Sequence, residues 1–157
     1  MSDSADLDLK QSKETALKFL ARREHSKKEL RQKLQKKGFS VDVITAVLHE
    51  LAHKDWQSDE RFTECYIRAR VSAGFGSVRI AFELSQRGVQ DRIIEKNLKR
   101  MDNQFWMNQI RGVWSKRFKQ VADDQHRQVK QYRFLQGRGF ARDRIIQFLK
   151  GNDNEYQ

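Results

Sequence analysis

Apolar residues in this chain recur three and four positions apart, and one short phrase organises them by appearing three times. Leu34-Gln35-Lys36-Lys37-Gly38-Phe39, Leu84-Ser85-Gln86-Arg87-Gly88-Val89 and Leu135-Gln136-Gly137-Arg138-Gly139-Phe140 each read leucine, two variable residues, a base, glycine and an apolar residue. The glycines fall 50 and then 51 residues apart. Each is followed six positions later by isoleucine (Ile44, Ile94, Ile145) and ten positions later by leucine (Leu48, Leu98, Leu149). A period of this length is the mark of a helical array.

Each repeat predicts three helices. In the first, a helix starts near Ser12 and buries Ala16, Phe19 and Leu20. Ser26-Lys27-Lys28-Glu29 is a capping box that opens a second helix, with Leu30 and Leu34 inward and Gly38 as its stop. Ser40 caps a third, whose apolar set Ile44, Val47, Leu48 and Leu51 follows one helix face. The second repeat opens at the Ser58 cap, with Phe62, Cys65, Tyr66 and Ala69 expected on one face. Gly74-Phe75-Gly76 makes a sharp link, Ser77 is read as the cap of a helix over 78–87, and Ile93, Ile94, Leu98 and Met101 mark the next. The third repeat has Trp106, Ile110, Val113 and Trp114 on its first helix, then helices over 123–136 and 142–150.

The expected fold is therefore all-α, three tandem three-helix repeats of about 50 residues each in an elongated, curved array. Expected boundaries are 1–11 for a disordered N-terminal tail, 12–56, 57–104 and 105–151 for the repeats, and 152–157 for a C-terminal tail. A 50-residue module is near the lower limit for independent folding, so neighbours should share apolar surface. Three such modules in a row would span on the order of 70 Å. The linkers 54–57 and 102–104 are short and charged, suited to bending rather than free motion.

Composition narrows the function classes. The chain has no proline and one cysteine, Cys65, which excludes an intrachain disulfide and fits a reducing compartment. No apolar run is long enough to span a bilayer and no signal-peptide core opens the chain, so a cytoplasmic monomer without membrane contact is expected. Net charge is +11, divided +3, +2 and +6 over 1–56, 57–104 and 105–157. A field of this sign favours a polyanion or an acidic protein surface.

Candidate chemistry is sparse. His49 and His53 lie four apart with Cys65 one helix later, too few ligands for a supported zinc site. Gly74-Phe75-Gly76 lacks the strand before it and the Lys-Ser/Thr end of a phosphate loop. With no catalytic grouping, neither an enzyme nor a cofactor is expected. What remains is basic residues at repeated places. Arg79, Glu83 and Arg87 share a helix face as an ion-pair ladder. Lys130, Arg133, Arg138, Arg142 and Arg144 are expected to gather around Tyr132, Phe134 and Phe140, an interleaving that suits phosphates and stacked bases, although Phe134 and Phe140 also read as core.

Three stretches give these features a family likeness. "LARREHSKKELRQKLQKKGF" (20–39), "DERFTECYIRARVSAGFGSVRIAFELSQRGV" (59–89) and "RFLQGRGF" (133–140) resemble the RecX family of bacterial regulators of RecA, over nearly the whole chain. The resemblance implies a curved molecule of three tandem three-helix repeats lodged in the helical groove of the RecA–DNA filament. There it would inhibit ATP hydrolysis, strand exchange and co-protease activity in recombinational repair and the SOS response, while touching DNA. The expected partners are the RecA filament and single-stranded DNA. Lys36, Lys37, Arg79, Arg87, Lys130, Tyr132, Arg133, Arg138 and Arg142 are the candidate RecA- or DNA-binding residues. The competing expectation is a sequence-nonspecific single-stranded DNA-binding protein acting without RecA. This chain departs from the family pattern at Ala73, where a base is expected before the Gly-aromatic-Gly turn, and at Gln57 and Ser58.

Overall fold

A computed structural model describes residues 2–154. Among them are nine helices and no strand: α1 (Ser2–Arg22), α2 (Lys27–Lys36), α3 (Val41–His53), α4 (Asp59–Ser72), α5 (Ser77–Gln86), α6 (Asp91–Leu98), α7 (Asn103–Ser115), α8 (Gln125–Gly137) and α9 (Arg142–Asn154). They follow in threes, as the repeated phrase predicts. Among the described residues no helix is long and apolar enough to cross a membrane. The chain divides into two compact units: residues up to Cys65 together with Leu84–Ile93, and Tyr66–Glu83 together with the residues from Ile94 onward.

The first unit is built on α1, α2 and α3. Ala16, Leu30, Leu34, Ile44, Val47, Leu48 and Leu51 form its buried core, with Leu9, Leu17, Phe19, Leu20 and Phe39 packed at the edge. Burial of each leucine or isoleucine contributes roughly 1.5–3 kcal/mol, so this cluster rather than helix propensity holds the unit. The capping box forms as read: Ser26 Oγ accepts from Glu29 N at 3.1 Å and Glu29 Oε1 accepts from Ser26 N at 3.1 Å. His25 is buried beside it. Lys33 Nζ lies 2.8 Å from its Nε2 and the Arg23 carbonyl 3.0 Å from its Nδ1, which selects the neutral ring protonated at Nδ1. Burial lowers the pKa of this histidine, in keeping with that neutral form.

In the second unit α7, α8 and α9 enclose Trp106, Ile110, Trp114, Leu135, Phe140, Ile145 and Phe148. The Trp114 and Phe148 rings meet edge to face at 5.4 Å. Gln131 is the buried polar member of this core. Its carbonyl accepts from Trp114 Nε1 at 3.3 Å and its amide donates to the Gln120 carbonyl at 3.0 Å, so it enters the interior with partners on both ends.

Several readings change. Helix α1 begins at Ser2, where a disordered tail through residue 11 is expected. Leu9 extends the apolar side of α1 one turn ahead of Ser12 and packs on the core, and Asp3 in the first turn complements the helix dipole. On α4 the inward residues are Phe62, Thr63 and Ile67, while Cys65 and Ala69 are exposed. Reading Phe62 and Tyr66 as the centre of that stripe puts it about a quarter turn off, because the polar Thr63 hides its middle. Ser77 is the first residue of α5 rather than its cap. Helix α9 runs past Lys150 to Asn154, and residues 155–157 of the expected C-terminal tail, like Met1, lie outside the described residues. The stretch 54–57 is also better anchored than a bending linker: buried Gln57 donates to the His25 carbonyl at 3.3 Å and to Asp59 Oδ1 at 3.0 Å.

Candidate functional site

The repeated Leu-x-x-base-Gly phrase does the same work twice, once in each unit: its turn is set against the start of a helix from the preceding repeat. In the first unit the turn of Arg87 and Gly88 meets the N-terminus of α2. Ser26 Oγ donates to the Arg87 carbonyl at 2.8 Å and Lys28 Nζ donates to the Gln86 carbonyl at 3.1 Å. In the second unit the turn of Arg138 and Gly139 meets the N-terminus of α5. Gly76 N donates to the Arg138 carbonyl at 2.9 Å and Val78 N to the Gly139 carbonyl at 2.9 Å. Turn carbonyls are thereby satisfied by a hydroxyl and an ammonium group in the first unit and by backbone amides at the start of α5 in the second. A Cβ on Gly76 would stand 2.5 Å from the Gly139 backbone, and one on Gly139 would stand 2.1 Å from Arg79 Cβ. Both glycines are required by the closeness of the two backbones.

That second joint brings arginines together. Gly74 at φ +89° turns the chain at the end of α4 so that Phe75 stands among guanidinium groups from three helices. Arg70 Cζ is 3.9 Å from its ring centroid, Arg79 Cζ 4.2 Å and Arg138 Cζ 5.2 Å. Like charges gather here because the ring's negative faces attract cations and because one carboxylate is placed between two of them. Glu83 accepts from Arg70 Nη2 at 2.8 Å and from Arg79 Nε at 3.0 Å, and the Tyr66 hydroxyl donates to its second oxygen. Partial burial would raise its pKa, but the bonds from Arg70, Tyr66 and Arg79 outweigh that and hold it at about 2. Glu83 is thus the fixed anion of the cluster.

Beyond Phe75 the cations lose their counter-charge. A cavity of about 340 Å³ is lined by Ser72, Ala73 and Gly74 from the end of α4, Val113, Lys116 and Arg117 from the end of α7, and Phe134 and Arg138 from the end of α8. Arg117 Cζ lies 4.8 Å from the Phe134 centroid and Arg138 Cζ 5.7 Å from it. Among the described residues no carboxylate pairs with Lys116, Arg117 or Arg138. The place is a concave, basic, aromatic-braced surface able to receive an anion.

The residues nominated from sequence are dispersed. Arg79 and Arg138 meet at Phe75, and Arg79 Nη1 also lies 3.4 Å from the Gly137 carbonyl. Arg87 belongs to the first unit's joint through its carbonyl. Lys36 and Lys37 are exposed at the end of α2. Lys130 and Arg133 line a separate depression with Gln125, His126 and Val129, and half-buried Tyr132 borders another with Val121, Ile146 and Leu149. Arg142 is exposed at the start of α9. Arg144 lies over Trp106 at 5.8 Å and donates to Ser77 Oγ at 3.3 Å. The expected gathering around Tyr132, Phe134 and Phe140 therefore reduces to Arg138 beside Phe134. Phe140 is core, as its spacing suggests.

Sequence reasoning missed Arg70, Phe75, Lys116 and Arg117. The signal for Arg70 was its place four residues after Tyr66 on one helix and four before the turn at Gly74. Nothing in the sequence signals that Lys116 and Arg117 face a turn forty residues away.

Comparison with known proteins covers all three repeats. Family models described as the first, second and third three-helix domains of RecX match residues 13–51, 58–98 and 107–149. The chain belongs to the RecX family. A protein named Regulatory protein RecX from Legionella pneumophila (strain Corby) is 39% identical over 144 residues, 91% of this chain and 95% of that one. Another of that name from Halorhodospira halophila (strain DSM 244 / SL1) is 41% identical over 134 residues, 85% of this chain and 83% of its own. A crystal structure of RecX from Lactobacillus salivarius superposes with a TM-score of 0.82 at 22% identity, covering 98% of this chain and 99% of the other, so the RecX fold persists at low identity.

Proposed function

We propose that this protein regulates RecA by binding the RecA–DNA filament in its helical groove, mainly inhibiting ATP hydrolysis, strand exchange and co-protease activity. Membership of the RecX family over all three repeats supports a regulatory role, and the observation that carries the reading to a surface is the arginine cluster around Phe75 with its unpaired extension at Lys116, Arg117 and Arg138. A filament presents both acidic protein surface and DNA phosphates at regular intervals, and basic patches on tandem repeats can engage several of them at once. Individually weak contacts then act together through effective concentration. A regulator held across neighbouring subunits favours one filament arrangement over those that turn over ATP or admit a second DNA.

The alternative, a single-stranded DNA-binding protein acting without RecA, draws on the same unpaired cations. The deciding measurement is RecA's ATPase on single-stranded DNA with and without this protein, at two salt concentrations. The filament reading expects inhibition at amounts well below one per RecA subunit. Inhibition that merely tracks occupancy of the DNA would reject it in favour of the alternative.

A further inference from the structure

We infer that the cavity between the ends of α4, α7 and α8 is a subsite for the phosphate backbone of a nucleic-acid strand, held by Lys116, Arg117 and Arg138 and blind to the bases. The inference rests on the proposed function only in that the protein meets such a strand.

Four observations carry it. The three cations line one concavity and have no carboxylate partner among the described residues, whereas Arg70 and Arg79 next to them share the carboxylate of Glu83. The two guanidinium groups are braced on aromatic rings, Arg117 at 4.8 Å on Phe134 and Arg138 at 5.2 Å on Phe75, so their donors are positioned before a ligand arrives. The cavity's 340 Å³ is on the order of ten times the roughly 30 Å³ a water molecule occupies, which leaves room for a phosphodiester with its sugar. Gly74 supplies the floor: a Cβ there would stand 3.2 Å from Val113 Cγ2 and 3.8 Å from Arg138 Nη1.

The exclusion of bases follows from the same contacts. Single-strand binders usually stack bases on open aromatic faces. Here Phe75 is approached by three guanidinium groups and Phe134 by two. Their rings serve as braces for arginine and are not platforms for a base. Contact through phosphates alone makes binding indifferent to sequence and strongly dependent on salt.

The test is fluorescence anisotropy of the full chain with two labelled probes of equal length, oligothymidylate and a fully abasic strand, titrated at several salt concentrations. Both probes should bind with affinities within about twofold of each other, since the backbone is the shared feature. R117Q/R138Q should lose about tenfold on both and lower the salt slope by about 1.4, two contacts at about 0.7 each for a single strand. R31Q, on the exposed side of α2 and outside the cavity, removes one charge of the same kind and should stay close to wild type. If circular dichroism shows the arginine pair to have lost helix, Lys116→Glu at its exposed helix end gives the same readout. Variants that bind both probes as wild type does overturn the inference, as does an abasic strand that binds far more weakly than oligothymidylate. Loss of filament ATPase inhibition with naked-strand affinity retained also overturns it, because the cavity would then take a protein carboxylate. Conversely, a wild-type protein that leaves RecA's ATPase untouched, yet binds the probes and loses them through these variants, upholds the subsite and rejects the filament reading.

Discussion

Glu83 shows how much one side chain settles at the residue scale. Its spacing from Arg79 is legible in the sequence as an i, i+4 pair, and that pair forms at 3.0 Å. Its other partners are not legible, because Arg70 and Tyr66 come from α4 and reach Glu83 only after Gly74 has turned the chain. A carboxyl whose pKa falls on folding contributes stability above its unfolded value and loses it as pH drops toward the folded one. For Glu83 the window runs from 4.5 down to about 2. The Glu83 contribution to thermal melts should therefore be constant from neutral pH to about 5 and decline below it, on top of the loss that buried His25 brings as pH falls below 6.5, and E83Q should remove the Glu83 part of that acid limb. At neutral pH E83Q should cost about 1–3 kcal/mol, since it leaves two arginines side by side without their anion. The same variant should bind polyanions more tightly, and unchanged oligonucleotide affinity would show that Arg70 and Arg79 lie outside the reach of the ligand.

At the scale of the element, the glycines separate conformation from space. Gly38 has φ +93° and open surroundings, Gly76 has ordinary φ but so little room that an added Cβ would stand 2.5 Å from the Gly139 backbone, and Gly139 has both constraints. Alanine at Gly38 should cost about 1–2 kcal/mol for the left-handed backbone alone. Alanine at Gly76 should cost about 1–3 kcal/mol for overpacking alone. At Gly139 the two should sum to about 2–5 kcal/mol. Urea melts of the three variants check the ranking, and a G139A protein as stable as G38A would refute the close joint between the Gly139 turn and α5. The sequence reveals these turns as helix stops, since leucine, base and glycine recur at fixed offsets. It does not reveal what each turn rests on, which depends on pairings between residues about sixty apart. Apolar spacing alone likewise identifies most helix faces, and fails on α4 where buried Thr63 interrupts the pattern.

For the whole molecule, repeat boundaries and compact units do not coincide. Sequence divides the chain into thirds and the family models follow the same thirds, but the first unit takes in Leu84–Ile93 and the second begins at Tyr66. A fragment ending at residue 104 keeps every residue of the first unit, whereas one ending at residue 56 lacks the Arg87 turn bonded to Ser26 and Lys28. The longer fragment should retain cooperative melting of its first-unit helices by circular dichroism, and the shorter should melt earlier and less cooperatively. Equal transitions would mean that the turn contributes nothing to the core of the first repeat. The net charge of +11 was legible from composition and already implied an anionic partner. Where that charge is neutralised and where it is not became visible only with Glu83 and the ends of α7 and α8 in place.

Gly38 is the turn glycine at which an added Cβ would meet nothing within 4 Å, and this makes it a place to attach a reporter. A dye or crosslinker carried on its exposed neighbours Lys36 or Lys37 would ride on the surface at the end of α2 without entering a joint. With the sole cysteine, Cys65, replaced, a thiol introduced there becomes a unique handle, and distances from it to labelled sites on a binding partner would fix which way round the molecule is held.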